Sequence, residues 1–471
     1  MARRKEKVFL TSQTIHEHDQ LQLAVAEAQA SAEATYVEKD VQLISPVTGF
    51  SNAISSCVGV GVLALSQSFQ QGSLVVGLIM FAIATVTSLI SCQMFVEAAS
   101  RYWFKKRGTY KLANDTYATS SQLCRDLPKK RAFGRVFSIL FQVCNSIYLF
   151  ANLLETSSTA AQSVVADLPI KYLKDHNCTN PATYDSACKP AFWATLMIGT
   201  AILTMIALFD LRKLSLLFNI FSLWRWFIVA ILIYFCSKEI HTNGGVSASV
   251  NYTHVDIYSF SAQAPAVIFA FMWQASIGVV YEPIRSKEKN LLPLFLVTNA
   301  AMTAMYVIIT LLGQFAFGED ILSMLVYNFR TMRLDSMGLK VLSQFAILYP
   351  PFVYFASSPF SVQPLATQVL EWFPEKYRTR PLWVSIIRVF AAFIPAIFAG
   401  FITTFSIIQK ITGFFAYAIM FIFPAIMLLT SNDLKAKTNS PYYKWWISTP
   451  IQWGMIILGT FFLCLIFVPN K

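Results

Sequence analysis

Residues 51–72 read SNAISSCVGVGVLALSQSFQQG and form the least hydrophobic of the apolar stretches in the chain. Polar residues line the first half of this stretch, and Gly59 and Gly61 follow near its middle. Glycine costs a helix about 1 kcal/mol relative to alanine, so the pair favours an unwound turn whose amides and carbonyls are free. Such a turn within a membrane can bind a carboxylate at a half-helix N-terminus and a cation at free carbonyls. Close packing against another helix is the alternative explanation for small residues here.

Long apolar stretches continue from this segment to the end of the chain. Each is long enough to cross roughly 30 Å of hydrocarbon as a helix. They are continuous rather than alternating, which favours helices over a transmembrane barrel. The sequence therefore predicts an all-α membrane protein with about 11 transmembrane helices. The predicted spans are 47–70, 72–98, 136–165, 191–209, 214–236, 262–281, 291–315, 338–363, 383–402, 406–430 and 446–468.

Composition separates the chain from soluble proteins and from nucleic-acid binders. The 471 residues are 55% hydrophobic and 13% charged, whereas soluble domains carry roughly 25% charged residues. The net charge of +12 is explained by where the basic residues lie relative to the membrane, so we expect no nucleic-acid partner. Residues 1–45 lack the apolar core of a signal peptide, and we expect a largely disordered cytosolic tail with room for a cytosolic partner. Residues 46–471 form the predicted transmembrane domain.

The placement of lysine and arginine predicts the orientation of the helices. With the N-terminus in the cytosol, the inside segments hold 26 of the 37 basic residues and the outside segments hold nine. Positive charge concentrates on the cytosolic side of membrane proteins. We therefore expect the N-terminus inside and, after an odd number of spans, the C-terminus outside.

Two kinds of residue in the predicted outside loops agree with this orientation. Asn177 and Asn251 begin Asn-X-Thr sequons and are candidate N-glycosylation sites. Cys178 and Cys188 lie in one polar loop, where an oxidising lumen permits a disulfide. The eight cysteines include no Cys-X-X-Cys pair or Cys/His cluster, so the sequence indicates no metal site built from such ligands.

The sixth and eighth spans add candidate binding residues. Pro265 lacks a backbone donor and favours a local break in the sixth span. Phe269 and Phe271 follow it as candidates for the wall of a side-chain pocket, with a lipid-facing aromatic surface as the alternative. Ser357 and Ser358 offer hydroxyl oxygens of the kind that bind a sodium ion. Satisfying a helix freed by proline is the alternative explanation for these hydroxyls.

Three ionisable residues within predicted spans, Glu155, Arg225 and Arg388, carry a cost of a few kcal/mol each if they face lipid. Glu155 lies in the outer half of the third span. One interpretation is a proton-coupling carboxylate, and the other is a snorkelling or salt-bridged residue near the outer interface. Arg225 lies deeper, in the fifth span, and we expect an acidic partner for it.

Three short motifs occur in order along the chain, namely a glycine motif, an aromatic stretch closed by a glutamate, and a proline-containing aromatic signature. They lie at 58–66 (VGVGVLALS), at Phe269-Ala-Phe271 leading to Glu282, and at 411–413 followed by 421–425. These motifs resemble those of the first, sixth and tenth helices of the amino acid/auxin permease family, which includes sodium-coupled neutral and proton-coupled amino acid transporters. The resemblance covers about 46–468.

This resemblance implies a LeuT-like inverted repeat of five plus five helices with one extra helix at the end. Helices one and six would be broken around the substrate. Phe269 and Phe271 would line the pocket for the substrate side chain. Backbone groups would bind the carboxylate and amine of an amino acid at Val58, Gly59, Val60 and Gly61.

The resemblance also indicates candidates for ion coupling. Ser357 falls near the position of a threonine sodium ligand in sodium-coupled members. Ser55 stands four residues before the first motif glycine, where members often have an asparagine. Together with Ser358 and Glu155 they form the candidate set, with Na⁺ or H⁺ as the coupling ion and no other cofactor.

The function that the resemblance implies is secondary active transport of amino acids by alternating access, with a small amino acid and the lipid bilayer as partners. An amino-acid sensor that binds without net transport is the alternative. An enzyme is not indicated, because the sequence contains no phosphate loop, nucleophile elbow or cluster of catalytic residues. The plasma membrane and an endolysosomal or vacuolar membrane both fit glycans on the outside loops.

Overall fold

The computed structural model describes most of the chain, and the described part is helical. The described residues are 43–108, 112, 119–167, 178, 188–209, 213–253, 255–281, 283–322, 324–330, 332, 336–378, 380–402, 405–434 and 440–468. Within these ranges no β-strand occurs, and one isolated parallel bridge joins Ile44 and Ile284. The structure confirms the predicted all-α class.

The helices of the first half begin with a broken span and end with a long fifth span. They are α1 (Pro46–Cys57), α2 (Val62–Gln71), α3 (Leu74–Arg107), α4 (Ser120–Asp126), α5 (Arg131–Asp167), α6 (Cys188–Leu208) and α7 (Ser215–Thr242). The short α4 lies between the second and third spans. Its first turn is closed by a capping box, in which Thr119 and Gln122 satisfy each other's backbone amides.

The second half repeats this order. Its first helices are α8 (Ile257–Ala270), a 3₁₀ turn at Gln274–Ser276, α9 (Ile277–Tyr281), α10 (Lys287–Phe317) and α11 (Leu325–Asn328). The eighth span is built from α12 (Met337–Ile347), α13 (Tyr349–Ser357) and α14 (Pro359–Glu371), and the short α15 (Glu375–Arg378) follows. The remaining helices are α16 (Pro381–Ala399), α17 (Phe405–Tyr417), α18 (Phe423–Thr430) and α19 (Thr449–Leu465).

Nine helical segments in the described part of the chain are long and apolar enough to cross a membrane. α1 and α2 form a tenth span together, with a bend of 47° at the break between them. α19 is a shorter apolar helix of 17 residues at the position of the eleventh predicted span. The protein is therefore an integral membrane protein, whereas the count of eleven spans and the side faced by each terminus stay predictions.

The two halves pack by one scheme. α1, the first part of the first span, packs against the fifth span α7, and α8, the first part of the sixth span, packs against α17 of the tenth span. The second span α3 packs along α8 and the 3₁₀ turn, while the seventh span α10 packs along α1 and α2. Each broken span is thus enclosed by the helix that follows the other one, as expected for an inverted repeat of five plus five helices.

The beginning of the first span is tied to the end of the sixth. The Ile44 amide donates a 2.8 Å hydrogen bond to the Pro283 carbonyl, and the Arg285 amide donates one of 3.2 Å to the Ile44 carbonyl. The next residue, Ser45, caps α1 because its hydroxyl accepts a hydrogen bond from the Thr48 amide at 3.2 Å. These contacts fix where the first span begins relative to the end of the sixth.

A glycine allows α17 to approach α8 closely. A Cβ atom added at Gly413 would lie 2.7 Å from the Cβ atom and 2.9 Å from the Cα atom of Pro265. Contacts this short are not tolerated without movement of the backbone. Gly413 belongs to the third motif of the sequence, so at least this part of the motif serves helix packing.

We expect Gly413→Ala to destabilise the protein by about 1–3 kcal/mol, because the backbone of α8 must move to admit the methyl group. Thermal unfolding in detergent, followed by size-exclusion chromatography, measures the effect. Gly454→Ala is the matched control, since Gly454 is exposed on α19 and a Cβ atom there has no neighbour within 4 Å. Equal melting temperatures for the two variants would contradict the close approach.

Candidate functional site

The first span is interrupted by four residues between α1 and α2. Val58 leaves the helical region with φ −87° and ψ 88°, and the Gly59 amide donates a 3.1 Å hydrogen bond to the Cys57 carbonyl. The amides of Val60 and Gly61 donate to no described residue. The structure therefore confirms the unwound turn and leaves two backbone donors at the N-terminus of α2.

The ring of Phe269, from the sixth span, lies against Gly61. A Cβ atom added at Gly61 would lie 3.2 Å from Cε1 and 3.4 Å from Cδ1 of this ring. At Gly59 the nearest atom to an added Cβ is the Gly61 nitrogen at 4.0 Å. A side chain at position 61 would thus require the Phe269 ring to shift by a few tenths of an ångström, whereas Gly59 carries no such steric constraint.

The sixth span is interrupted after Ala270. α8 continues through Pro265 to Ala270, and residues 271–273 separate it from the 3₁₀ turn. The break that the sequence predicted exists, but it lies more than a turn beyond Pro265. The missing donor of proline is therefore tolerated inside α8, and the break has another cause.

A tyrosine on α10 joins the two breaks. The Tyr306 hydroxyl oxygen lies 3.2 Å from the carbonyl oxygen of Cys57 and 2.9 Å from that of Ala270. The ring is fully buried and packs edge-on against Phe271, with centroids 5.3 Å apart. Both carbonyls lie at helix C-termini, where acceptors lack partners within the helix. The hydroxyl therefore supplies a donor at the point where the two spans meet.

Side chains from α3 and α5 satisfy further groups of the second break. The Ser88 hydroxyl donates a 3.3 Å hydrogen bond to the Phe271 carbonyl and accepts one of 3.2 Å from the Trp273 indole. The Tyr148 hydroxyl donates to the Met272 carbonyl at 3.1 Å. A buried carbonyl without such a partner costs about 1–3 kcal/mol. The shape of this break is therefore held by α3, α5 and α10.

Both breaks line one small cavity. Its volume of about 20 Å³ admits roughly one water molecule. Val58 and Val60 are fully buried and do not line the cavity. These two residues therefore contribute to the turn only through their backbone groups. The residues that the two breaks contribute to the lining include Ser56, Gly59, Gly61, Phe269, Ala270 and Met272.

Three lining residues come from positions that the sequence did not single out. They are Tyr148 and Asn152 on α5 and Tyr306 on α10. The Asn152 amide donates a 2.9 Å hydrogen bond to the Ser361 hydroxyl, which links α5 to α14. These residues could have been recognised in the sequence as single amide or tyrosine side chains within apolar spans. Polar groups are costly in hydrocarbon unless they are partnered, so each such side chain indicates a partner or a role.

Phe271 lies outside the cavity lining. Its ring packs against Phe81 and Tyr306, with centroid distances of 5.8 Å and 5.3 Å. Met272 lines the cavity beside Phe269 instead. The structure thus places one of the two predicted pocket phenylalanines at the cavity and the other among the packing contacts behind it.

The three candidate serines for ion coupling have different surroundings. Ser357 lines the cavity, and its hydroxyl donates a 2.8 Å hydrogen bond to the Val353 carbonyl. Ser358 is buried beside Thr156, with 3.4 Å between the hydroxyl oxygens. Ser55 is fully buried in α1, and its hydroxyl has no hydrogen-bond partner among the described residues. Of the three, the structure brings Ser357 together with the glycines.

Glu155 is fully buried in α5, one turn beyond Asn152. Neither carboxylate oxygen accepts a hydrogen bond of ordinary geometry from a described residue, and the side chain of Gln409 on α17 is the polar group beside it. No described lysine or arginine forms an ion pair with it. Within the described part of the chain, Glu155 therefore has neither the ion pair of the salt-bridged interpretation nor the exposure of a snorkelling group, which reaches water.

Arg225 is buried in α7, the helix that packs against α1. Its Nη1 atom donates a 2.9 Å hydrogen bond to the Ile54 carbonyl, and its Nε and Nη2 atoms have no hydrogen-bond partner among the described residues. Tyr349 lies beside the guanidinium. The expected acidic partner is absent from the described residues, and a positive charge is instead held one turn before the first break.

The remaining predicted sites lie in loops. Cys178 and Cys188 form a disulfide at the start of α6, with Cα atoms 5.6 Å apart. Asn251 is half-buried, and its side-chain amide donates a 2.6 Å hydrogen bond to the Gly72 carbonyl. Its glycosylation stays a prediction. Outside the described residues lie Asn177, Glu282 and residues 1–42.

Comparison with known proteins identifies the family. A family profile described as transmembrane amino acid transporter protein matches residues 42–468. The chain belongs to this family. The resemblance to the amino acid/auxin permeases is thereby confirmed, and the family is one of transporters rather than of enzymes.

Relatives and solved structures agree with this family. Transmembrane protein 104 of Homo sapiens is 23% identical over 497 residues, which cover 91% of this chain and 96% of that protein. Transmembrane protein 104 of Mus musculus is 22% identical over 494 residues, with the same coverage. The crystal structure of MhsT in complex with L-phenylalanine aligns with a TM-score of 0.63 at 10% identity, covering 90% of this chain and 99% of that one. At this identity the likeness shows the fold alone, and it confirms the LeuT-like fold.

Tyr306→Phe removes the hydroxyl between the two breaks and keeps the ring. We expect a loss of about 1–3 kcal/mol in stability, because the buried Ala270 carbonyl loses its donor, while the Cys57 carbonyl keeps the Gly59 amide. Thermal unfolding in detergent measures it. Tyr417→Phe is the matched control, since Tyr417 is equally buried and its hydroxyl has no described partner. A similar shift in both variants would show that the bridge contributes nothing.

Proposed function

We propose that the protein is a secondary active transporter that moves amino acids across a membrane by alternating access. The supporting observation is that two interrupted spans, one from each repeat, line one cavity and leave unpaired amide donors beside it. A continuous helix satisfies its own backbone groups in lipid, so each interruption is costly. Two interruptions at one place are explained by a binding site for a small polar solute.

The polar groups at the breaks suit the two charges of an amino acid. The amides of Val60 and Gly61 donate to no residue that the structure describes, and the N-terminus of α2 adds partial positive charge, which favours a carboxylate. The carbonyls of Cys57 and Ala270, at the C-termini of α1 and α8, favour an amine. Phe269 then flanks the side chain. The transporter family and the amino acid bound by MhsT support this substrate class.

Binding requires a change of conformation. A cavity of about 20 Å³ is too small for an amino acid, and the Phe269 ring lies against Gly61. We propose that the structure corresponds to a closed member of the transport cycle. Movement of Phe269 and of the half-helices then opens the site toward one side of the membrane.

We propose that H⁺ is the coupling ion and that Glu155 carries it. A buried carboxylate without a cation or a hydrogen-bond donor is costly when charged, so the buried conformation favours the protonated form and a conformation that exposes the carboxylate favours release of the proton. Asn152, one turn earlier on α5, lines the substrate cavity and connects the two sites. The fixed charge of Arg225, one turn before the first break, opposes a sodium ion there. Coupling to Na⁺ through Ser55, Ser357 and Ser358 is the alternative.

We further propose an N-terminus in the cytosol and glycans on Asn177 and Asn251, in the plasma membrane or an endolysosomal or vacuolar membrane. Residues 1–45 would then be available to a cytosolic partner. Mapping of attached glycans tests the orientation, since sugar on the sequon at Asn114, in the predicted inside loop at 101–135, would overturn it.

Uptake of labelled amino acids into proteoliposomes tests the transport function. We expect accumulation under an inward H⁺ gradient and none under a Na⁺ gradient at equal pH. Accumulation driven by a Na⁺ gradient alone would rule out H⁺ as the coupling ion, while the proposed transport function would still hold. No accumulation of any amino acid under either gradient would reject transport, and saturable binding without flux would favour the sensor.

Gly61→Leu should abolish uptake while leaving the protein folded, because the new side chain occupies the space between the first break and the Phe269 ring. Initial rates of uptake by equal amounts of reconstituted protein measure the loss. Gly338→Leu is the matched control, since Gly338 is exposed at the start of α12 with no atom within 4 Å of an added Cβ. Normal uptake by the Gly61 variant would remove this position from the substrate path.

Glu155→Gln keeps the shape of the side chain and removes its ability to gain and lose a proton. We expect that a pH gradient no longer drives accumulation, whereas exchange of labelled for unlabelled substrate continues, because exchange needs no net proton movement. Glu288→Gln, at an exposed position on α10, serves as the control. Accumulation that still responds fully to the pH gradient would assign coupling to another group.

A further inference from the structure

A second cavity lies among α5, α6 and α13. Its volume is about 350 Å³, and it shares no lining residue with the substrate cavity. Its lining is almost entirely apolar. Small residues on two helices, Ala160, Ala161 and Gly199, give it its depth. It lies along the half of α6 that follows the disulfide, and nothing in the proposed transport cycle uses it.

The cavity opens onto the membrane-facing surface. Ile198 and Ile202 border it on α6, with 63% and 39% of their surfaces exposed. α6 is one of the helices long and apolar enough to cross the membrane. Exposed apolar side chains on such a helix contact hydrocarbon rather than water. The cavity is therefore continuous with the interface between protein and lipid.

Two of the three hydroxyl groups that line the cavity, those of Ser157 and Tyr354, already have partners within the protein, and the third belongs to Thr195. Ser157 donates a 3.0 Å hydrogen bond to the Leu154 carbonyl. The hydroxyl oxygens of Tyr354 and Thr200 lie 3.3 Å apart. An occupant with a polar group of its own, such as a sterol, would lose hydrogen bonds to water or headgroups and find only the Thr195 hydroxyl as a replacement. A plain hydrocarbon chain loses none.

We propose that this cavity binds one acyl chain of a membrane phospholipid. Dispersion contacts with the lining favour a filled cavity over an empty one, and the surrounding solvent consists of such chains. Pro351, Tyr354 and Phe355 of α13 form one wall, and α13 ends at Ser357 in the substrate cavity. The bound chain thus supports, from the lipid side, the helix that carries a residue of the substrate site.

Photolabelling of the full-length protein in liposomes tests this proposal without relying on transport. The probe is a phospholipid with a diazirine within one acyl chain, and peptide mass spectrometry locates the labels. We expect them to concentrate at residues 157–164, 195–202 and 351–355. Gly199→Phe should reduce this labelling by about five-fold or more, because a filled cavity leaves no room for the chain. Gly454→Phe, at an exposed glycine on α19, should leave it unchanged.

A second variant covers the case in which Gly199→Phe fails to fold, as judged by size-exclusion chromatography. Ile202→Trp changes a half-exposed residue at the rim and should reduce the labelling by narrowing the opening. Labels spread over all lipid-facing helices, or unchanged by both variants, would overturn the proposal. Concentrated labelling of the same residues by a diazirine sterol but not by the phospholipid would also overturn it.

Discussion

The structure depends on the need to satisfy backbone hydrogen bonds where no water is available. A transmembrane helix meets this need by itself, and an interrupted one does not. Here both interruptions are surrounded by side chains from other spans that supply what the helices lack. Tyr306 lies between the carbonyls of Cys57 and Ala270, and Ser88 and Tyr148 donate to carbonyls within the second break. Among the residues that the structure describes, the amides of Val60 and Gly61 have no such partner. Where the surrounding spans leave donors unused, a ligand can be recognised.

Buried charges in this protein differ in how completely they are paired, and the difference separates packing from function. Arg101 and Glu97 form an ion pair of 2.9 Å within α3, and Arg101 also donates to the Leu428 carbonyl at 3.0 Å, so it joins α3 to α18. Counting the described residues, Arg225 has one carbonyl partner and Glu155 has no hydrogen bond of ordinary geometry. A paired charge such as Arg101 fixes how the helices pack at little cost in free energy. Incompletely paired groups such as Arg225 and Glu155 are costly at rest, which is why they are the candidates for a role in the transport cycle.

Much of the fold was predictable from the sequence, because hydrophobic length and glycine placement act locally. The first break follows from Gly59 and Gly61, and the structure has it there. The second break was predicted from Pro265 but lies beyond Ala270, since α8 tolerates the proline and the interruption is shaped by side chains distant in sequence. The same reason explains why Tyr148, Asn152 and Tyr306 were missed and why Phe271 was assigned to the pocket. No local pattern shows which tyrosine donates to a carbonyl in another helix, or that the partner of Arg225 is a carbonyl.

The position of the Tyr306 hydroxyl has one further consequence. A phenolic hydroxyl carries a single hydrogen, and two carbonyl oxygens lie within reach of it, one from each repeat. It can be shared between them, but it can point fully at only one of them at a time. If the half-helices separate during a cycle, the hydrogen must stay with one repeat and leave the acceptor of the other open. The oxygen that is left open then becomes available to a cation or an ammonium group at the moment when the two repeats part.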